Sequence, residues 1–336
     1  MLAGRGASLV MGDYVILAEI GAGGMGQVYK AKHRRMERIV ALKVMSSAAM
    51  KDEAAVKRFQ REVRAAAKLE HSNIVTAYDS GEAGNVKYLV MQFVDGGDLS
   101  SLVKSQGPLP IEKAVDYVLQ AARGLSFAHT EGVIHRDIKP ANLLVDKKNV
   151  VKILDMGLAR IESSDDGLTA TEQVMGTVDY MSPEQAANTK GADGRADIYS
   201  LGCTLWYLLI GRKTYEGDTM IARLMAHRDA PLPSLVKTRD DAPWALEQVL
   251  HKMIAKRPQD RYQSMDDVIG ALEPLGSGGT STKGPMGSSI GGGSQPNAEL
   301  AAFLQSVGPK PSASGTNLAR QKRRWSRQAR RPRRLK

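Results

Sequence analysis

Apolar positions change their period about one third of the way along this chain. In the first part they form short β-rich runs at residues 14–20, 27–31 and 39–45, separated by glycines or charged residues, which predicts an antiparallel meander. Residues 54–69 switch period: Val56, Phe59, Val63 and Ala66 or Ala67 recur at three- and four-residue steps, predicting a helix whose apolar face packs on that sheet. Residues 88–93 read as another strand. From Ile111 onward the helical pattern dominates, with core helices expected at 111–129, 196–210 and 245–254. A β-rich first part followed by a helical second part predicts an α+β protein of two lobes, the first small and the second larger, with a cleft between them.

The pattern stops near residue 274. Residues 276–296 are dense in Gly, Ser and Thr and read as a flexible linker; 298–307 carries enough apolar residues for one short helix. The expected organisation is an extension at 1–12, a folded region at 13–274, a linker at 275–319 and a basic tail at 320–336. Charge supports this division. The formal net charge is +11, but residues 320–336 hold ten Arg and Lys and no acid, so subtracting ten leaves about +1 for the rest. The basic character therefore belongs to the tail and not to a folded face.

Composition excludes disorder of the whole chain, since 42% of residues are hydrophobic and 25% charged, as in an ordinary soluble globular protein. The single Cys203 cannot form an internal disulfide and lies in an apolar run, which fits a buried thiol and a reducing, cytosolic compartment. The longest apolar runs fall short of the ~18–20 residues needed to cross a bilayer, and residues 1–10 lack the apolar core of a secretory signal.

The candidate chemistry begins at Gly21-Ala22-Gly23-Gly24-Met25-Gly26, between two strand-like runs. A dinucleotide site uses the same glycine spacing, but there the last glycine opens a helix. Here Gln27-Val28-Tyr29-Lys30 is strand-like, so the glycines read as a hairpin whose backbone can approach phosphates closely. Lys43 follows Gly26 by seventeen residues inside Val40-Ala41-Leu42-Lys43; its flanks face a core, so its ammonium needs a partner, and Glu62 on the packed helix is placed to supply one. Then come Val133-Ile134-His135-Arg136-Asp137-Ile138-Lys139-Pro140-Ala141-Asn142-Leu143-Leu144 and, thirteen residues after Asn142, Asp155-Met156-Gly157.

In this order and spacing, residues 13–274 resemble the protein kinase family, and specifically its bacterial serine/threonine branch. The resemblance implies a two-lobed kinase fold and transfer of the ATP γ-phosphate to Ser and Thr hydroxyls of protein substrates, with magnesium (manganese as an alternative). Asp137 would accept or orient the hydroxyl proton, Lys139 would sit beside the transferred phosphate, and Asn142 and Asp155 would supply oxygens to the metal. The implied nucleotide-binding set is Ile20, Gly21, Gly23, Gly26, Val28, Ala41, Lys43, Glu62, Met91, Gln92, Val94, Asp98, Leu144 and Asp155. Within it Met91 stands at the gatekeeper position, and main-chain groups of Gln92 and Val94 would meet the adenine edge. Gln92 departs from the commoner Glu, which a main-chain contact tolerates. Asp98 matches a ribose contact; a helix-capping Asp is the alternative.

Lys139 and Thr177, whose hydroxyl would bridge Asp137 and Lys139, favour Ser/Thr over Tyr acceptors. Glu184 in Ser182-Pro183-Glu184 would pair with Arg261, and Asp197 would anchor the catalytic-loop backbone. Arg136, immediately before Asp137, marks kinases whose activation loop docks a phosphate on that arginine. Thr169 and Thr171 resemble the paired threonines that bacterial relatives autophosphorylate, which implies self-association for phosphorylation in trans, while Ser163 and Ser164 are further loop hydroxyls. Met156, where Phe is usual, would fill the same pocket. Two readings compete: a pseudokinase scaffold, which predicts loss of Lys43, Asp137 or Asp155, all of which are present, and a polyanion-binding protein centred on the tail. The tail itself would contact an anionic membrane at its inner face, or nucleic acid, with Trp325 available for stacking. Family members often continue past such a linker into a membrane helix, so the chain reads as a shortened relative of a membrane receptor kinase.

Overall fold

The computed structural model describes residues 9–23, 26–84, 86–155, 178–188 and 191–276, apart from the side chains at 23, 47, 48, 54, 58, 61 and 62. All elements named below belong to the unit Met1–Gly284. The structure corrects two expected bounds, since Val10–Met11 of the extension form a strand and Leu275 and Gly276 of the linker belong to the last helix; the rest of the linker, the short helix and tail, the loop hydroxyls Ser163, Ser164, Thr169, Thr171 and Thr177, and Met156 lie outside the described residues.

The first lobe is a six-stranded sheet made of β1 (Val10–Met11), β2 (Tyr14–Gly23), β3 (Gly26–His33), β4 (Ile39–Met45), β5 (Ala77–Ala83) and β6 (Val86–Gln92), in the order β1-β2-β3-β4-β6-β5. Each neighbouring pair is antiparallel, as the alternation predicted. A short helix α1 (Ser47–Met50) precedes α2 (Glu53–Ala66), which lays Ala55 and Phe59, with Val56 and Val63, against Met45 and Leu89 of the sheet. The apolar stripe read from the sequence is thus the packed face. β5 has no signal in the sequence. Its residues Ala-Tyr-Asp-Ser-Gly-Glu-Ala are mostly exposed at a sheet edge, and a register irregularity at Ala77/Asp79 breaks any alternation.

Beyond the turn at 93–95, β7 (Gly96–Asp98), β8 (Leu143–Asp146) and β9 (Val151–Ile153) form a second, three-stranded sheet. The helices of this lobe are α3 (Leu99–Gln106), α4 (Ile111–Thr130), α5 (Pro183–Ala187), α6 (Gly194–Ile210), α7 (Met220–Asp229), α8 (Leu235–Thr238), α9 (Trp244–Met253) and α10 (Met265–Gly276). The core is built on α4 and α6. Every residue of α6 from Ala196 to Leu209 is buried, which explains its run of apolar residues without a polar face. Each fully buried Leu or Ile there contributes about 1.5–3 kcal/mol. Cys203 is buried as expected, and burial pushes its thiol up to about 12, so it is inert. The helix ends at Gly211, whose φ of 75° is the left-handed conformation that lets its N–H reach the Tyr207 carbonyl.

The lobes are stitched where the chain leaves α2. Val75 N–H donates to the Ile153 carbonyl at 3.0 Å, Ile153 N–H donates to Asn73 O at 2.9 Å, and the buried Asn73 amide reaches Val151 O at 2.9 Å. Leu154 N–H then donates to Asn142 O at 2.9 Å. These bonds fix Asp155, at the end of the β9 segment, relative to Asn142.

Candidate active site

The cleft has an apolar end. Ala41 on β4 and Met91 on β6 are cross-strand partners, and with Val75 they form a buried cluster against which Val28, Val94 and Leu154 pack. Ile20 is half exposed at its edge, and Leu144 is partly buried on β8. Six of these residues belong to the expected nucleotide-binding set; Val75 and Leu154 carry no motif, and only the β9 stitch brings them there. Gln92 N–H donates to Thr76 O at 2.8 Å, and Gly96 N–H to Val94 O at 3.1 Å, which orders the connecting main chain. Asp98 caps α3: its carboxylate accepts from Ser101 N–H at 2.9 Å and from Ser101 Oγ at 2.6 Å, the alternative foreseen for it.

The glycines form the expected hairpin, with Gly23 opposite Gly26. Two of them differ in what the fold requires. A Cβ on Gly26 would lie 1.8 Å from the Val44 carbonyl oxygen, so the fold itself demands glycine there. A Cβ on Gly21 would meet nothing nearer than Val28 Cβ at 3.9 Å, so no crowding among the described residues requires glycine there.

Lys43 emerges from β4 with its side chain 14% exposed, and its Nζ lies 2.8 Å from Asp155 Oδ1, whose own side chain is 47% exposed. The expected partner Glu62 is on α2, but its side chain is among those not described. The structure therefore brings Lys43 to Asp155, residues 112 positions apart.

On the opposite wall, Asp137 Oδ2 receives Lys139 Nζ at 2.9 Å and Asn142 Nδ2 at 3.1 Å, and the same Nδ2 donates to Asp137 O at 2.7 Å. Both Asn142 bonds use its amide nitrogen, which turns the oxygen donor Oδ1 away from Asp137. His135 is fully buried behind this loop. Its Nδ1 accepts from Asp137 N–H at 3.2 Å, so Nε2 carries the ring proton and donates to Leu154 O at 2.7 Å. Asp197 on α6, 0% exposed, accepts from His135 N–H at 2.9 Å, Arg136 N–H at 2.7 Å and His129 Nε2 at 2.8 Å. Burial works to raise its carboxyl, but the His129 hydrogen bond and charge, with those of His135, outweigh it and leave the pKa lowered. The sequence pointed to Asp197 and missed its partner His129, which stands six residues before His135.

Arg136 adopts φ 63° and donates from Nη2 to Ala192 O at 3.1 Å; its Nε is buried without a partner among the described residues. Gln185 Nε2 donates to Arg136 O at 3.0 Å, and Arg261, fully buried, holds Glu184 at 2.6 and 2.8 Å. The residues fit ATP with a hard divalent cation. The apolar slot suits a planar base, Lys43 suits phosphate, and Asp155 and Asn142 offer oxygens. Among the described residues no group of three His, Cys, Asp or Glu side chains could hold a metal ion.

The family described as protein kinase domain matches residues 14–269. The serine/threonine-protein kinase PknB of Mycobacterium leprae is 39% identical over 264 residues, covering 77% of this chain and 42% of its own length. PknB of Mycobacterium tuberculosis is 40% identical over 261 residues, covering 76% and 41%. This chain thus spans about two fifths of the length of these relatives. The crystal structure of the PknI kinase domain of Mycobacterium tuberculosis aligns with a TM-score of 0.62 and 28% identity over 80% of this chain and 99% of that one. The chain belongs to the protein kinase family, in its bacterial serine/threonine branch.

Proposed function

We propose that the chain transfers the γ-phosphate of ATP to serine and threonine hydroxyls of protein substrates. The observation that carries this reading is the pairing of two clusters across one cleft: Asp137 with Lys139 and Asn142, and Lys43 with Asp155. Ala41, Met91, Val28 and Val94 hold the adenine between the lobes, and Lys43 orients the α and β phosphates. Asn142 Oδ1 and the Asp155 carboxylate hold magnesium, which when bound neutralises phosphate charge. Asp137, its carboxylate oriented by Lys139 and Asn142, takes the acceptor's hydroxyl proton as the acceptor oxygen bonds to phosphorus and the bond to the ADP oxygen breaks. Lys139 balances negative charge beside the transferred group. In the active form the phosphate carried by Thr169 or Thr171 docks on the Arg136 guanidinium, and Thr177 bridges Asp137 and Lys139.

Radiolabelled ATP and magnesium, with casein as a generic acceptor, test the proposal. Transfer to Ser and Thr of casein or of the chain itself is expected, lost in Asp137→Asn while ATP still binds. Comparable turnover in that variant refutes the assignment.

A further inference from the structure

Just beyond Thr177 the chain holds a buried charge that the chemistry above does not use. Asp179 is 2% exposed, yet its carboxylate meets two cations: Arg223 Nη1 at 2.7 Å on Oδ1 and Lys213 Nζ at 2.7 Å on Oδ2. Arg223 projects from α7 and is itself buried; Lys213 follows α6 and is 43% exposed. The neighbouring residues are held as firmly. Tyr180 O accepts from Ser200 Oγ at 2.7 Å, its ring meets Tyr207 edge-on, and the buried Ser182 Oγ reaches Gln185 Oε1 at 2.9 Å.

A buried ion cluster is a poor way to add stability, because desolvating its charges offsets most of their attraction, and an apolar replacement often does as well. Its contribution is to fix position. The segment 178–185 is tied to the catalytic loop, since Gln185 bonds the carbonyl of Arg136, the residue before Asp137. A polypeptide presenting a hydroxyl to Asp137 must lie against this segment.

We infer that Arg223 and Lys213 are positioning residues for the protein acceptor: by clamping the Asp179 carboxylate from α7 and the loop after α6, they fix the surface on which the acceptor lies. The inference rests on the kinase reading above. Loss of the clamp weakens acceptor use and leaves nucleotide use nearly unchanged.

Steady-state kinetics on the full chain, with casein and ATP varied separately, test it in Lys213→Met, Arg223→Lys, Arg223→Met and the double variant Asp179→Asn/Arg223→Met. The acceptor KM is expected to rise roughly tenfold in Arg223→Met and severalfold in Lys213→Met, with the ATP KM within about twofold of the parent in each. Arg223→Lys keeps two cations at Asp179, the new lysine and Lys213, and stays near the parent. The double variant removes the Asp179 charge together with that of Arg223, so its Tm recovers toward the parent while its acceptor KM stays raised. Should Arg223→Met fail to fold, Lys213→Met and the double variant carry the test. An unchanged acceptor KM in the folded variants overturns the inference, as does a parallel rise in both KM values or an acceptor KM that recovers with Tm in the double variant. A parent chain that phosphorylates neither casein nor itself refutes the kinase reading, and this inference with it.

Discussion

Acidification should destabilise this protein through one buried histidine. His227, on α7, is 1% exposed, its Nδ1 lies 2.8 Å from Tyr199 Oη, and its ring packs edge-on against Tyr215. Burial, then the charge of Lys256, lowers its pKa from 6.5 to about 4, although Asp179 opposes the shift. Above pH 6.5 neither folded nor unfolded chains protonate it. Between pH 6.5 and 4 the unfolded chain takes the proton and the folded one does not, so stability falls as pH falls, and the loss levels off below 4. At ~1.36 kcal/mol per unit, the change from pH 7.5 to 5.0 costs about 2 kcal/mol. Lys256, lowered by burial to about 8, adds a slope of the same sign only near the top of this window, and it is common to the parent and the variant used below. The assay is urea unfolding of the parent and His227→Gln at both pH values. Contributions common to the two proteins, including His71, also lowered by burial, cancel in the difference. The parent should lose about 2 kcal/mol more than the variant; equal losses in the two would refute the argument.

Other outcomes follow from the site and the tail. Lys43→Met should leave a few percent of transfer activity or less in a labelled-ATP assay, because the α and β phosphates lose their cation. Replacing Thr169 and Thr171 together with Ala should slow trans-phosphorylation, read as the initial rate on a catalytically dead copy, without lowering Tm. Residues 320–336 should cosediment with anionic vesicles at low salt and release at high salt, each basic residue near the surface contributing on the order of 1 kcal/mol. A chain ending at Leu275 should not cosediment, and both chains should phosphorylate casein equally; stronger binding to duplex DNA than to vesicles would redirect the tail to nucleic acid.

Much of the fold was legible because its signals are local. The helical stripe of α2 and the unbroken apolar runs of α6 and β4 each report what is buried within a single element. The cluster of Asp137, Lys139 and Asn142 was legible for a different reason: the three crowd into six residues, and the local chain alone brings their atoms together. What stayed hidden depends on distant pairing. Asp179, Lys213 and Arg223 each read as a surface charge, and nothing in their spacing of 34 and 10 residues says that they meet. Val75 joins the apolar end of the cleft only through its bond to Ile153. For Asp98 the sequence left ribose contact and helix cap open, and the geometry supplies the cap.

The two sides of the site are linked through backbone that no isolated residue would choose. Arg136 and Asp155 both occupy positive φ, at 63° and 44°, a conformation that costs a non-glycine residue on the order of 1–3 kcal/mol. One residue is the neighbour of Asp137, the proposed proton acceptor, and the other is the carboxylate beside Lys43. His135 reaches both: its ring accepts from Asp137 N–H on one side and donates to the carbonyl of Leu154, the residue before Asp155, on the other. Its own N–H and that of Arg136 are held by Asp197, and the charge on Asp197 is maintained by His129. Neutralising Asp197 would therefore loosen Arg136 directly and Asp155 through His135, so the base and the phosphate-side carboxylate would lose their register together.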